Sequence, residues 1–293
     1  MNFMGFKWLY FLISGIFLVT GIFSLFKWGL KPAIDFTGGT ILEIRIQGQE
    51  LNIDNNKIKE LIEKETEVSS VQKSGEKSLI LKTKMIDSDE KDKILDILKG
   101  QIGDIEEARF EIVGPIIGQE LIKKTIIAVV LATGFILFYV ANRFKDKKYG
   151  FCAILAMFHD TFILLGTFSI LGHFFGVEVD TLFVTAVLTI LSFSVHDTIV
   201  VYDRIRESVK IFPEARFVDL VNKAVAETLN RSIINSLTII FMLLCLWLFG
   251  GETIKWFVLA LLIGTIAGTY SSTFTAAPLL VVWEQMKNRN KNS

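Results

Sequence analysis

"TLFVTAVLTILSFSVHDTIVVYDR", residues 181–204, is long and apolar enough to cross a bilayer, yet it carries His196 and Asp197 before Asp203 and Arg204 close the run. About 20 predominantly apolar residues span a hydrocarbon core of about 30 Å. At a helical rise of about 1.5 Å per residue, Asp197 lies about 9 Å inside the boundary marked by Asp203. A charged carboxylate near the bilayer centre costs roughly 2.5–3.5 kcal/mol on insertion scales. The group must therefore find a compensating partner or spend part of its time protonated.

The same pattern recurs along the chain. Apolar blocks run over about 8–26, 122–141, 151–171, 181–202, 232–249 and 254–283, in a sequence that is 51% hydrophobic. These blocks predict six membrane-spanning helices. The last is long enough to tilt or to continue past the membrane. The first follows Lys7 and ends without a small-residue cleavage pattern, so it reads as an uncleaved anchor and first span rather than a signal peptide. The 31 basic and 31 acidic residues cancel, so no global field points to nucleic acid.

The placement of charge sets an expected orientation. Arg143, Lys145, Lys147 and Lys148 fill the loop 142–150; Arg204, Arg206, Lys210, Arg216, Lys223 and Arg231 fall in 203–231; Lys287, Arg289 and Lys291 mark the tail. The intervening "GHFFGVEVD" has no lysine or arginine and "GGETIK" has one. Lysine and arginine concentrate in cytoplasmic loops, so both termini are expected inside the cell and 30–118 outside.

Residues 30–118 read as a small folded domain. "ILEIRI" (41–46) alternates apolar and polar, as a half-buried strand does. A helix is expected over 55–65, a weak strand at "VSSVQK", and a strand over 78–85 after the turn "SGEK". A second helix is expected from a Ser88 cap to Gly100 or Gly103, and a last strand over 107–114. The order is βαββαβ. "DFTGGT" (35–40) lacks the lysine and spacing of a phosphate loop and reads as a turn before a strand. Gly114, Pro115 and Gly118 suit a bend between this domain and the second span. The fold class expected is thus a six-span α-helical membrane protein with an α+β, ferredoxin-like extracytoplasmic domain between helices 1 and 2. Its divisions are 1–29, 30–118, 119–283 with the cytoplasmic loop 203–231, and a tail over 284–293.

Polar residues inside the spans mark candidate function. Thr185, Thr189, Ser192 and His196 share one helical face with spacings of four, three and four. The fifth span opens with Arg231, Asn235 and Thr238, and is the expected partner of that face; Arg231 either pairs with Asp197 or anchors at the interface. "FHDT" at 158–161 echoes "VHDT" at 195–198, placing His159 and Asp160 within the third span. Two His-Asp pairs without further ligands are a poor metal set. Gly264 and Gly268 suit close helix packing, and the hydroxyls from Thr269 to Thr275 suit either packing or a water file. Cys152 and Cys245 read as small buried hydrophobes, with no disulfide or zinc pattern. "EARFVDLVNKAVAETL" in the 203–231 loop is an amphipathic helix, lying either on the membrane face or against the bundle base. No nucleotide-binding or nucleophile motif is present, and neither a cofactor nor an enzymatic reaction is implied.

"IDFTGGTILEIR", "VGPIIGQEL", "HDTFILL", "SVHDTIVVYDRIRE" and "LNRSIINSLT" together resemble the SecF subunits of the SecD/SecF family, over almost the whole chain. That family is similar to half of a resistance-nodulation-division transporter. The resemblance implies a bacterial inner or plasma membrane protein acting with SecD beside the SecYEG channel. It further implies that proton motive force drives late translocation and release of an unfolded exported polypeptide. It makes Asp197 and Arg231 parts of a proton path; His159, Asp160 and His196, singled out by the repeated His-Asp pattern, are secondary candidates for the same path. The motif residues Asp35, Phe36, Thr37, Gly38, Gly39, Asp203 and Arg204 belong to the same pattern. His196 departs from it, since asparagine is frequent before that aspartate. The rival readings are a drug or lipid exporter, which calls for about twice the spans, and a scaffold in which Asp197 and Arg231 form a structural ion pair.

Overall fold

The computed structural model describes residues 2–47, 55–74, 77–144 and 146–291; Gly75 and Glu76 of the expected turn and Lys145 of the expected loop lie outside the described residues. Six helical stretches are long and apolar enough to cross a membrane. They are built from α1 (Lys7–Trp28), α5 (Pro115–Arg143), α6 (Lys147–Phe175), α7 (Thr181–Ile211), α8 (Phe217–Phe249) and α9 (Glu252–Ser271), the last running on through α10 (Ala277–Lys291). A short π-helical turn, Ser272–Ala276, joins α9 to α10.

The bundle core forms where α6, α7 and α9 meet, around Ala153, Ala156, Met157, Ala186, Ile190, Val195 and Ala260. Small residues bring these backbones together. Gly264 of α9 receives the Ile190 side chain, and Gly268 lies against Phe193. On the far side, Gly21 of α1 and Gly166 of α6 meet backbone to backbone, with Ser24 Oγ donating to Ser169 Oγ at 2.7 Å beside them. By contrast α5 buries only Gly118 and Val140, so it stands at the edge of the bundle.

The region expected as a 203–231 loop is mostly helix. Helix α7 runs past Asp203 and Arg204 to Ile211, and α8 already begins at Phe217. Leu220, Val221, Ala224 and Val225 are buried, so the amphipathic stretch packs on the bundle base and continues into the fifth span. Cys152 is buried, but Cys245 is exposed, contrary to expectation. The reason is rotational: α8 buries one narrow stripe through Ser232, Ser236 and Leu243, and Cys245 falls outside it.

Between α1 and α5 lie a helical turn α2 (Ile34–Thr37), then β1 (Gly39–Ile46), α3 (Asn55–Ile62), β2 (Val68–Ser74), β3 (Ser78–Thr83), α4 (Ser88–Ile102) and β4 (Ile105–Val113). The strands form one antiparallel sheet in the order β2-β3-β1-β4. Alternate strand residues Leu42, Ile44, Leu79 and Leu81 meet Ile58, Ile62, Ile94 and Leu98 from the two helices in a separate core. The cap of α4 is Asp87 rather than Ser88: Asp87 accepts from Glu90 N at 2.8 Å and Glu90 accepts from Asp87 N at 3.1 Å. The reciprocal pair satisfies two orphan amides, which Ser88 inside the first turn cannot do. The helix ends at Gly103 with φ 93°.

Candidate functional site

Asp197 sits half-buried on α7, where α7 faces α8. Ser232 Oγ on α8 lies 2.9 Å from each of its carboxylate oxygens. Arg231 precedes Ser232 by about 100° around the helix, so when Ser232 faces α7 the arginine turns outward. It is exposed, and among the described residues it forms no ion pair with Asp197. Spacing left Arg231 either paired with Asp197 or anchored at the interface; within this chain the neighbouring Ser232 holds the carboxylate instead. The signal for Ser232 was present in "LNRSIINSLT", where Ser232 and Ser236 repeat at one helical turn.

The stripe Thr185, Thr189, Ser192 and His196 is exposed and does not face α8, which corrects the expected match. The α8 residues Arg231, Asn235 and Thr238 are exposed as well. Thr185, Thr189 and Thr238 turn their hydroxyls onto carbonyls of their own helices at 2.8–3.0 Å. The polar side chains His196, Arg231 and Asn235 thus point away from the chain's own core, toward what would be lipid or a neighbouring subunit.

A deeper polar cluster lies between α6, α7 and α9. Asp160 is 0% exposed. Its Oδ2 accepts from Ser194 Oγ at 2.5 Å and Ser271 Oγ at 2.6 Å, and its Oδ1 lies 2.8 Å from His159 Nδ1. Sequence reasoning found the His-Asp pair and counted Ser271 among the last-span hydroxyls, but missed Ser194 and placed neither serine beside Asp160, because the three helices come together only through tertiary packing. Among the described residues no three His, Cys, Asp or Glu side chains gather as a metal site. Other hydroxyls of the last span tie helices together: Thr269 donates to Ser236 Oγ at 2.7 Å, and Ser14 and Thr275 share a bond of 3.1 Å; from α7, Tyr202 donates to the Ala276 carbonyl at 2.9 Å.

The glycine-rich motif does more than turn the chain. Gly38 (φ 77°) lies against Pro115, and Gly39 (φ 151°) approaches the Thr83 carbonyl closely. A Cβ at Gly118 would stand 2.7 Å from the Phe36 carbonyl. The motif 35–39 and the bend 114–118 are therefore one clasp joining α2 to the start of α5. Gly114 caps α5 with Pro115 in its first turn. Thr37 Oγ1 closes α2 onto the Ala33 carbonyl at 3.3 Å.

From this clasp Asp35 reaches α7. Its Oδ2 accepts from Thr181 N at 3.3 Å and Thr181 Oγ1 at 2.8 Å. Asp180, the N-cap of α7, accepts from Phe183 N at 2.8 Å. Two carboxylates thus share one positive helix end. Burial, reinforced by the charge of Asp35, holds the Asp180 carboxyl above the usual aspartate range. The linker adds backbone pairing, Ala33 N to Val179 O and Val179 N to Lys31 O, both 2.8 Å. Buried Glu178 binds Lys82 of β3 at 3.0 Å and Lys31 at 3.4 Å. A cleft of about 220 Å³ remains between the open sheet face and the ends of α7 and α9.

At the opposite end, Asp203 pairs with Arg143 of α5 and with Arg206 at 3.2 Å, and Arg204 pairs with Glu207 and Glu227, each at 2.5 Å. These partly exposed ties each contribute little alone, but together they link α5, α7 and α8.

Residues 93–286 match the family described as "Protein export membrane protein SecD/SecF, C-terminal", and residues 23–50 match the SecD/SecF GG motif. The protein translocase subunit SecF of Thermobaculum terrenum is 43% identical over 295 residues, covering 95% of this chain and 92% of that one. The corresponding subunit of Anaerolinea thermophila is 36% identical over 296 residues, covering 99% and 96%. A crystal structure of SecDF from Thermus thermophilus, described as a translocon-associated membrane protein, superposes with a TM-score of 0.86 at 31% identity, covering 97% of this chain. The present chain spans only 39% of that SecDF chain. A second SecDF structure, in a super-membrane-facing form, superposes with a TM-score of 0.71 at 30% identity and covers 100% of this chain.

Proposed function

The chain belongs to the SecD/SecF family of protein export membrane proteins, a multi-pass translocase subunit, and from that premise we propose that it is a proton-driven accessory of Sec export. It works with SecD, a pairing supported by the likeness to SecDF chains. The sheet domain, read as ferredoxin-like, stands outside the bacterial inner or plasma membrane, and both termini are cytoplasmic. There the pair acts beside SecYEG on unfolded polypeptide leaving the channel, late in translocation. This transport role requires neither a cofactor nor an enzymatic reaction of the chain itself.

One observation carries the reading: Asp197 is half-buried in an apolar span, and its hydrogen-bond partner is the neutral Ser232 hydroxyl. With the carboxylate ionised, Ser232 donates. With it protonated, the carboxylic O–H donates to Ser232 Oγ and the hydroxyl turns away. The α7–α8 link survives both states while the local charge changes by one. A unit charge crossing a potential of 100 mV is worth about 2.3 kcal/mol, enough to bias two packings of a bundle. Helix α7 then carries the change outward to Thr181, which holds Asp35 and the clasp. The exposed stripe of His196, Arg231 and Asn235 supports a neighbouring membrane subunit on that side, since polar groups facing lipid are costly. SecD fits that position, and Arg231 there meets the proton path from across the interface.

The test is export into vesicles holding the complex with SecD, with and without an imposed proton gradient. Asp197→Asn is expected to abolish the gradient-driven part while the complex still assembles. Undiminished stimulation by that variant would sink the proposal.

A further inference from the structure

We propose that the buried cluster of Asp160, Ser194, Ser271 and His159 is an inner proton-binding site that exchanges its proton with Asp197 along α7. This rests on the reading of Asp197 as a proton carrier and adds a second carboxylate to it.

Three features of the cluster argue for a proton site rather than inert packing. Asp160 is fully buried, and among the described residues no lysine or arginine pairs with it. Its ionisable surroundings are His159 on its own helix and Asp197 one turn beyond Ser194 on α7; α9 presents the Ser271 hydroxyl. Next, His159 Nε2 is buried and has no hydrogen-bond partner among the described residues. A buried polar atom left unpaired costs about 1–3 kcal/mol, so this imidazole edge is available to a proton or a water. Finally, the cluster sits at a joint. Ser271 ends α9 directly before the π-helical turn, and π-turns inside helices are frequent at functional sites.

The route is short. Ser194 and Asp197 are three residues apart on α7, a spacing that puts Cβ atoms about 5–6 Å apart on one face, within reach of one bridging water. Ser194 already bonds Asp160 Oδ2. In the transfer, the proton on Asp197 passes to the Ser194 oxygen while the Ser194 hydroxyl proton passes to Asp160 Oδ2. Asp197 is left ionised, Asp160 neutral and Ser194 unchanged. Asp160 Oδ2 now bears a hydrogen and cannot keep two serine donors as before. One of them, Ser194 or Ser271, must turn and accept instead, which loosens or re-aims the contact of α6 with α7 or with the joint after α9.

The experiment uses the full chain in complex with SecD, in vesicles with an imposed proton gradient. It compares Asp197→Asn, Asp160→Asn and Ser194→Ala. Co-purification with SecD and the thermal midpoint report assembly. The infrared carboxylic C=O band, followed through a pH titration, reports the proton itself. Expected are a loss of gradient-driven export by about 10²-fold in Ser194→Ala, the scale of a lost proton-transfer group, and a titrating band absent from Asp160→Asn but kept in Asp197→Asn. If Asp160→Asn fails to assemble, Ser194→Ala, which keeps the carboxylate, decides. An assembled Ser194→Ala or Asp160→Asn with full gradient-driven export overturns the inner site and leaves the Asp197 reading standing. Full export by Asp197→Asn overturns both.

Discussion

The Ser232 hydroxyl of α8 bridges both carboxylate oxygens of Asp197 on α7, 2.9 Å from each. A hydrogen bond to a charged group contributes about 1.5–3 kcal/mol. Ser232→Ala should therefore lower the thermal midpoint of the detergent-solubilised complex by several degrees and reduce gradient-driven export. Ser232→Thr, which keeps the hydroxyl, should restore most of both. Equal losses in the alanine and threonine variants would assign the effect to packing.

The α1–α6 crossing predicts an asymmetry between two glycines. A Cβ at Gly166 would overlap the Gly21 backbone, whereas one at Gly21 would stand 3.2 Å from Gly166 Cα. Gly166→Ala should cost more than Gly21→Ala, within the about 1–3 kcal/mol typical of overpacking. Thermal unfolding of the two single variants checks the order.

Glu178 joins the sheet domain to the α6–α7 connection through Lys82 and Lys31. Because Glu178 is buried, its ties should exceed the roughly 0–1 kcal/mol of exposed pairs. Glu178→Gln should speed hydrogen exchange at the Ala33 and Val179 amides by about fivefold or more, as a loss of about 1 kcal/mol in local stability would. Lys82→Met should give a similar change, and the double variant less than the sum of the two.

The raised carboxyl of Asp180 gives a pH dependence with a fixed sign. A folded-state pKa above the unfolded one means that the folded chain binds more protons between the two values. The stability from this group is therefore complete below the ordinary aspartate range and is lost as pH rises through the raised value. The exchange of amides near the start of α7 should accelerate over that window. Asp180→Asn, neutral throughout and still able to cap the helix, should flatten the step.

The six long apolar helices and the βαββαβ order were legible in the chain because each rests on local period and length. A run of 20 or so apolar residues must be helical in lipid, since only a helix satisfies its own backbone there. Alternation at period two in "ILEIRI" likewise chooses its own strand. The cap at Asp87 was misplaced by one residue because two candidate caps, Asp87 and Ser88, stand side by side, and only the reciprocal bond with Glu90 separates them.

The amino-acid sequence by itself determined where helices and strands form and which residues bring charge into the long apolar helices. Tertiary structure decided which of those residues meet. Rotation of α8 by one residue's angle exchanges Arg231 for Ser232 as the neighbour of Asp197, and the meeting of α6, α7 and α9 gathers Ser194 and Ser271 around Asp160. A linear pattern gives each helix its faces, but the angle each face takes toward its neighbours is set by side-chain packing among helices distant in the chain, such as Gly264 receiving Ile190.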